Sequence, residues 1–287
     1  MDITASIVTY NSGPVIGVCL EHLVTATSRS LEIAVADNLS HDDTLARLEP
    51  WRDRVRVIVN AENLGFGRAH NAGLKDAQGR YFLILNPDVE LAPGTLDLLA
   101  GYLDEHSECG AVAPLLDEGS GRDPGRTLAY PGQRYAGSLF AKLPGRIAVL
   151  QGACLLVRAS VYRTIGGFDP RFFLYAEDLD LSLEIRKQGY ELHCLESLRV
   201  RHIGGHSERA LQPRTVSAKK HLGLLLFYRK HYPRRVRIFL IARDCAKSGF
   251  RLLPLMLARS PRGIARREEH RGRLHAIAAY FRGINRL

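Results

Sequence analysis

Several side chains in this sequence are of types, and at spacings, that do chemistry. The stretch FLILNPDVEL (82–91) is continuously apolar through Phe82, Leu83, Ile84 and Leu85 and then meets Asn86, Pro87 and Asp88. Pro87 has no N–H for a sheet ladder, so a buried strand should stop there and set an amide and a carboxylate just past its C-terminal end. A carboxylate at that point can hold a hard cation or accept from a ligand; as a plain alternative it caps the turn after Pro87. A second acidic group, Glu177, Asp178 and Asp180, lies in AEDLDLSLEIRKQG. Neighbouring helix residues point about 100° apart, so the three cannot all face one substrate, and acids also simply decorate helix starts. His202 stands between the strand-like Leu198–Arg201 and the Gly204-Gly205 pair; a lone histidine is more often a core or surface residue than a ligand.

These groups need elements to place them. Ile3–Thr9, Leu31–Ala36, Val55–Val59 and Phe82–Leu85 read as strands. Helical spacing over Pro14–Thr25, a helix starting at Asp42-Asp43-Thr44, and Arg68–Ala77 alternate with them, which implies βαβ units and a largely parallel sheet. Each strand ends in a polar cluster: Tyr10-Asn11, Asp37-Asn38-Ser40, Asn60-Asn63-Gly65, Asn86-Asp88. Four such clusters at successive C-terminal ends converge on one sheet edge, where open α/β sheets bind ligands. Further along, a helix from Pro93 through His106 and a short strand Ala111–Pro114 are expected. Residues 117–147 read as a long connection rich in Gly, Pro and Arg, and Val149–Arg158 as a strand. A helix over Tyr175–Gln188, ended by Gly189, and strands over Glu191–Val200 follow. From about Gln212 the chain is helical and basic. The expected organisation is an α/β domain over 1–211 and a basic helical region over 212–287.

The net charge of +10 over 287 residues conceals an asymmetry. Residues 1–198 hold 18 Lys+Arg and 26 Asp+Glu, a balance of −8, whereas 199–287 hold 22 and 4, a balance of +18. A basic appendage of this kind suits an anionic partner: membrane headgroups, a phosphorylated ligand or nucleic acid. Nucleic acid is not expected, because no recognisable module interleaves the cations with stacking aromatics. A dinucleotide dehydrogenase is disfavoured, since TYNSGP after the first strand breaks the GxGxxG fingerprint. No signal peptide and no apolar run of spanning length is expected. Five scattered cysteines without metal spacing suggest reduced thiols in a cytosolic protein.

The segments IVTYN, DNLSHDDT, NLGFGRAHNAG, LNPDVEL, GGFDPRFFLYAEDLDLSLEIRKQGY and VRHIGGHS, in that order over about residues 3–210, resemble the inverting glycosyltransferases of family 2, and most closely the bacterial rhamnosyltransferase branch. The resemblance implies the GT-A fold, a Rossmann-like α/β/α sandwich with a mostly parallel central sheet. It implies a nucleotide-sugar donor, with Thr9, Tyr10 and Asn11 along the base and ribose and Asp37 accepting from the N3–H of uracil or thymine. Asn38, Asn63 and Asn71 fall among the donor contacts. Many members of this fold carry two acids one residue apart; here the first is Asn86, which leaves it a hydrogen-bonding role and leaves the metal, Mn²⁺ or Mg²⁺, to Asp88 with His202. His206 and Ser207 could reach phosphate. Asp178 falls at the base position, Glu177 and Asp180 support it, and Gly152-Ala153 let a sugar approach the backbone. Where many relatives carry Arg, this chain has His70. The branch points to L-rhamnose from dTDP-rhamnose and a glycan or lipid-linked acceptor, with a UDP-hexose as the alternative donor. A non-catalytic sugar-nucleotide binder is the rival reading, and the joint presence of Asp88, Asp178 and His202 speaks against it. For the basic region two roles stand side by side: an anionic membrane surface, which would make the enzyme cytoplasmic and peripheral on the inner face, or a helical appendage that completes the core or forms an oligomer.

Overall fold

The computed structural model describes residues 1–119, 125–204, 212–284 and 286–287. His206, Ser207 and the expected domain boundary at 211 lie outside the described residues. In chain order the elements are β1 (Ile3–Thr9), α1 (Gly13–Thr25), β2 (Leu31–Asp37), α2 (Thr44–Leu48), β3 (Arg56–Val59), α3 (Phe66–Leu74), β4 (Tyr81–Leu85), β5 (Val89–Glu90), α4 (Thr95–Glu105), β6 (Cys109–Asp117), β7 (Arg126–Thr127), β8 (Val149–Leu150), β9 (Cys154–Arg158), α5 (Ala159–Thr164), α6 (Glu177–Lys187), β10 (Glu191–His202), α7 (Pro213–His231), α8 (Arg234–Leu255) and α9 (Pro261–Phe281).

Eight strands form one sheet in the order β3-β2-β1-β4-β9-β6-β10-β5. β3, β2, β1 and β4 are mutually parallel, β9 runs antiparallel to β4 and β6, and β10 is again parallel to β6. The run YFLIL shows why the sheet needs cover on both faces: Tyr81, Leu83 and Leu85 enter one core with Ile3, Ile7 and Leu99, while Phe82 and Ile84 enter another with Val157, Phe168 and Ile185. The period-2 alternation of a strand makes one apolar run serve two cores.

The chain falls into two compact units. The first comprises residues 1–130, 143–169 and 178–206 and holds the large sheet. The second comprises 131–142, 170–177 and 207–287. Its core is built by Leu222, Leu225 and Phe227 of α7, Leu240 of α8 and Ala276 and Ala279 of α9, all buried. Gly272 permits the approach of α9 to α7, since a Cβ there would lie 2.3 Å from the Arg214 carbonyl oxygen. Tyr232 packs against Phe140 and donates to the Pro131 carbonyl (2.6 Å).

Several elements depart from the sequence expectation; β6, expected over Ala111–Pro114, runs over Cys109–Asp117. Val149–Arg158 is two strands: β8 pairs with β7, β9 joins the large sheet, and Gln151, Gly152 and Ala153 form a turn between them. Gly152 is pressed against Phe66, whose Cε1 would be 3.2 Å from an added Cβ. The helix expected from Tyr175 begins at Glu177, because Tyr175 and Ala176 adopt left-handed backbone (φ 70° and 69°). The long connection 117–147 contains β7 and a short 3₁₀ turn at Gln133–Tyr135.

Candidate functional site

The first cluster joins the ends of β1 and β2, which are parallel and in register with Thr9 opposite Asp37. Asp37 is fully buried. Its Oδ1 accepts from Thr9 Oγ1 (2.8 Å) and Ser40 Oγ (2.6 Å), and its Oδ2 accepts from the Ser40 N–H (2.9 Å). Ser40 Oγ also accepts from the Asn11 N–H (2.9 Å), and Asn11 Oδ1 accepts from the His41 N–H (2.8 Å). The acid expected to face a nucleobase is therefore the hub that holds the two strand-end loops together. Asn38 does the same toward β3 and α3: its Oδ1 accepts from Asn60 Nδ2 (3.0 Å) and the Leu64 N–H, and its Nδ2 donates to the Gly65 carbonyl. Asn63 Oδ1 accepts from the Gly65 N–H (2.9 Å), an Asx-turn that sets up the start of α3. Tyr10 remains exposed on this rim. Asn11 and Leu39 sit at φ 53° and 64°; a non-glycine residue held there costs on the order of 1–3 kcal/mol and persists only where its surroundings over-determine it.

The second cluster forms where β4, β6 and β10 end. Asn86 follows β4 and donates its N–H to the Ala153 carbonyl (2.8 Å), which ties the Gly152-Ala153 turn to this edge. Asp88 and His202 are both buried. The antiparallel pairing of β10 with β5 sets His202 opposite Val89, one residue past Asp88, and the Ile203 N–H donates to the Asp88 carbonyl (3.1 Å). His202 Nε2 then lies 3.3 Å from Asp88 Oδ1 and 3.3 Å from Asn86 Nδ2, while Nδ1 lies 3.0 Å from Glu118 Oε1. Burial works against a charged ring, but the Asp88 and Glu118 carboxylates more than offset it and raise the pKa above the ordinary histidine value.

That donor set fits a divalent ion. With Nδ1–H donated to Glu118, the Nε2 lone pair is left beside the Asp88 carboxylate, the carboxylate–histidine arrangement that orients imidazole ligands. Glu118 was not among the sequence expectations. It follows the C-terminal end of β6, which runs three residues past the expected end at Pro114 and so forms a fifth polar strand end. Gly204 lies against it, an added Cβ being 3.3 Å from Glu118 Oε1.

Asp178 is the second residue of α6. Its Oδ1 accepts from the Leu179 N–H (2.8 Å), and among the described residues no cation pairs with it. The helix start favours the anion, yet desolvation prevails over the backbone N–H groups and pushes the carboxyl above the usual carboxylate range. A base so placed gains proton affinity, as proton abstraction near neutral pH requires. The two left-handed residues Tyr175 and Ala176 immediately precede this turn of helix. Glu177 and Asp180 are both buried. No hydrogen bond or ion pair of the described residues joins Asp178 to Asp88 or His202.

Two residues take other roles. Asn71 is a strap for the GGFD segment: its Nδ2 donates to the Phe168 carbonyl (2.7 Å), and its Oδ1 accepts from the Phe168 N–H (3.0 Å) and from Tyr162 OH (2.7 Å). His70 is fully buried, shares a hydrogen bond with Ser6 Oγ (2.9 Å) and packs edge-on against Phe66; desolvation drives its pKa down to about 3, so it is a neutral core group. Cys154 and Cys19 are buried thiols whose pKa values burial raises, inert packing groups rather than nucleophiles. A cavity of about 650 Å³ lies elsewhere in the first unit, lined by Tyr102, Arg126, Arg146, Glu191 and His193 among others, and none of the residues expected at the donor lines it.

Residues 4–166 match the family model described as glycosyl transferase family 2. The chain is 32% identical over 237 residues to the N-acetylglucosaminyl-diphospho-decaprenol L-rhamnosyltransferase of Mycobacterium tuberculosis, covering 70% of this chain and 75% of that protein. It is 31% identical over 196 residues to the O-antigen biosynthesis protein RfbC of Myxococcus xanthus, covering 62% of this chain and 15% of that much longer one. The fold is similar to the mannosyltransferase PcManGT of Pyrobaculum calidifontis in complex with GDP-Man and Mn²⁺, with a TM-score of 0.62 at 16% identity over 97% of this chain and 86% of the other. It is also similar to TarS 1–349 of S. aureus in complex with UDP-GlcNAc, with a TM-score of 0.56 at 18% identity over 99% and 92%. The mixed sheet with its flanking helices is the GT-A architecture, followed by a helical C-terminal region. The chain is a glycosyltransferase and belongs to family 2, in its rhamnosyltransferase-like branch.

Proposed function

We propose that this glycosyltransferase moves L-rhamnose from dTDP-rhamnose to a hydroxyl of a lipid-linked glycan in cell-surface polysaccharide synthesis, by a single displacement with inversion. The observation that carries the reading is the Asp88–His202–Glu118 constellation just past the ends of β4, β10 and β6. The rhamnosyltransferase relative supports the choice of sugar and of a lipid-diphosphate-linked acceptor.

Asp88 and His202 would hold Mn²⁺ or Mg²⁺, with Glu118 fixing the ring; when bound, the ion supplies positive charge that neutralises the donor diphosphate as the leaving group departs. Imidazole in the set favours Mn²⁺. Asn86 Nδ2 would donate to the ribose or a diphosphate oxygen. Tyr10 and Asn11 line the base and ribose, and Asp37 keeps one lone pair on Oδ2 for an imide N–H. The acceptor oxygen forms its bond to the anomeric carbon as the bond from that carbon to the diphosphate oxygen breaks. The hydroxyl proton passes to the Asp178 carboxylate, and the nucleoside diphosphate leaves with the electron pair. On this reading the enzyme is cytoplasmic and peripheral at the inner face of the membrane, where such acceptors are held.

A thermal-shift panel of nucleotide sugars with and without Mn²⁺ tests it, because a ligand that binds the native state stabilises it by mass action. The expected result is a metal-dependent rise with dTDP-rhamnose above that with UDP- and GDP-sugars. A larger rise with UDP-GlcNAc would turn the reading to a UDP-hexose donor, which the likeness to TarS with UDP-GlcNAc keeps in view. No rise with any nucleotide sugar would overturn it.

A further inference from the structure

The side of α8 that its own unit leaves open is apolar from Ile238 onward, after Arg235 in the first turn. Successive helix residues turn by about 100°, so Ile238, Phe239, Ala242, Phe250, Leu253 and Leu257 share one arc about 120° wide, extending past the helix end into the following turn. All six are exposed, Phe250 at 77%, Leu253 at 69% and Leu257 at 89%. The opposite side buries Leu240, Ile241 and Ser248 in the unit's core. No acid lies in the arc: the acid of α8, Asp244, falls on the other side and is bonded to Arg243 (2.6 Å).

Cations border the arc. Arg235 lies within the arc and is exposed, Arg243 lies just beyond one edge, Lys247 and Arg251 step away from that edge toward the Asp244 side, and Arg259 and Arg262 follow in the turn and at the start of α9. Among the described residues Lys247, Arg251, Arg259 and Arg262 have no acidic partner. Residues 234–281 hold 12 Lys+Arg against 3 Asp+Glu. The charge selects between occupants. A second copy docked face to face would set this basic border against itself, as an isologous contact must. An anionic lipid surface is complementary to both the apolar arc and its border, and an apolar face edged with Lys and Arg is the composition of helices that lie in the bilayer interface. No helix among the described residues is long and apolar enough to cross a membrane.

We propose that this face of α8, with the turn to α9, is a docking surface for an anionic phospholipid bilayer, lying in the interface with Phe250, Leu253 and Leu257 at acyl-chain depth. That it brings the active site to a lipid-linked acceptor rests on the reaction proposed above; the surface itself does not.

Co-sedimentation of the full chain with vesicles of phosphatidylcholine alone, and of phosphatidylcholine with phosphatidylglycerol, tests the proposal. Two variants accompany it: Phe250→Ser with Leu253→Ser and Leu257→Ser, and Arg259→Glu with Arg262→Glu. Their melting midpoints report folding, and donor hydrolysis without vesicles reports the active site. The native chain should bind the anionic vesicles, less so as salt rises, and each variant should lose about tenfold or more of that binding with its midpoint and hydrolysis retained. Three results overturn the proposal: no binding at low salt, equal binding by both variants, or a soluble dimer that the serine variant dissociates while vesicles recover nothing. Vesicle binding without donor hydrolysis in any sample upholds the surface and counts against the reaction.

Discussion

Glu118 and His202 are joined at 3.0 Å between Oε1 and Nδ1, on the side of the ring away from Asp88. This fixes which nitrogen faces the strand-end carboxylate and gives the proposed ion site a graded test. Asp88→Ala and His202→Ala should each abolish the Mn²⁺ dependence of donor binding and activity. Glu118→Ala should weaken Mn²⁺ affinity by about 10–100-fold, the usual effect of losing an orienting partner. Glu118→Gln, which still accepts from Nδ1–H, should recover most of the loss. Mn²⁺ titrations of activity and of donor-dependent melting check all four; unchanged metal affinity in both Asp88→Ala and His202→Ala would reject the two-ligand site.

Asp178→Asn should lower transfer by about 10²–10⁴-fold while donor affinity stays near the native value, as loss of a general base does. The pH dependence follows from the raised carboxyl. A base works deprotonated, so kcat/KM should fall as pH falls through a pKa above the ordinary carboxylate range, and that limb should vanish in the variant. Near-native turnover in Asp178→Asn would move the search to Glu177 and Asp180.

The sheet was legible because its strands are long apolar runs ended by Asn, Asp and Pro, and four of the five polar strand ends could be read directly. Glu118 could not be read, since β6 continues to Asp117 through Pro114, a residue that ordinarily ends a strand. The break at Gly152 was hidden for a different reason. Val149–Leu150 and Cys154–Arg158 are equally apolar, and only their strand pairing shows that the two halves belong to different sheets. Nor does sequence reveal which polar groups are already committed. Asp37 and Asn71 are of the right types for ligand contacts, yet the structure uses most of their hydrogen-bonding capacity on Thr9, Ser40, Tyr162 and Phe168.

Asn71 can be tested on that point. Asn71→Ala removes the three hydrogen bonds that hold Phe168 and Tyr162 and leaves backbone groups of Phe168 without partners. At about 1–3 kcal/mol for each group left unsatisfied, the fold should lose on the order of 2–5 kcal/mol. Chemical denaturation gives that number, and calorimetry with the nucleotide sugar gives the donor affinity, which should change little at temperatures where the variant is folded. A large loss of donor affinity with unchanged stability would instead put Asn71 in contact with the donor.

Gly223 of α7 tests whether the left-handed turn ahead of Asp178 is held in place by helix packing. A Cβ on Gly223 would lie 2.3 Å from the Tyr175 carbonyl oxygen and 3.0 Å from its carbonyl carbon. Both are backbone atoms, so no rotamer change can make room, and Tyr175 and Ala176 already sit at φ 70° and 69°. Overpacking of this kind costs about 1–3 kcal/mol, against which alanine returns about 1 kcal/mol of helix propensity. Gly223→Ala should therefore leave stability slightly reduced but displace the turn that leads into α6. The base would be misplaced, and a misplacement of about 1 Å is enough to cost 10²-fold in rate. The expected signature is a fall in kcat with donor affinity retained, since the donor clusters lie at Thr9–Ser40 and Asn86–Asp88. Gly249→Ala in α8 is the control: nothing lies within 4 Å of its Cβ position, so the same chemical change should be neutral or stabilising and leave kcat alone. Equal kcat values in the two variants would show that the turn does not depend on α7.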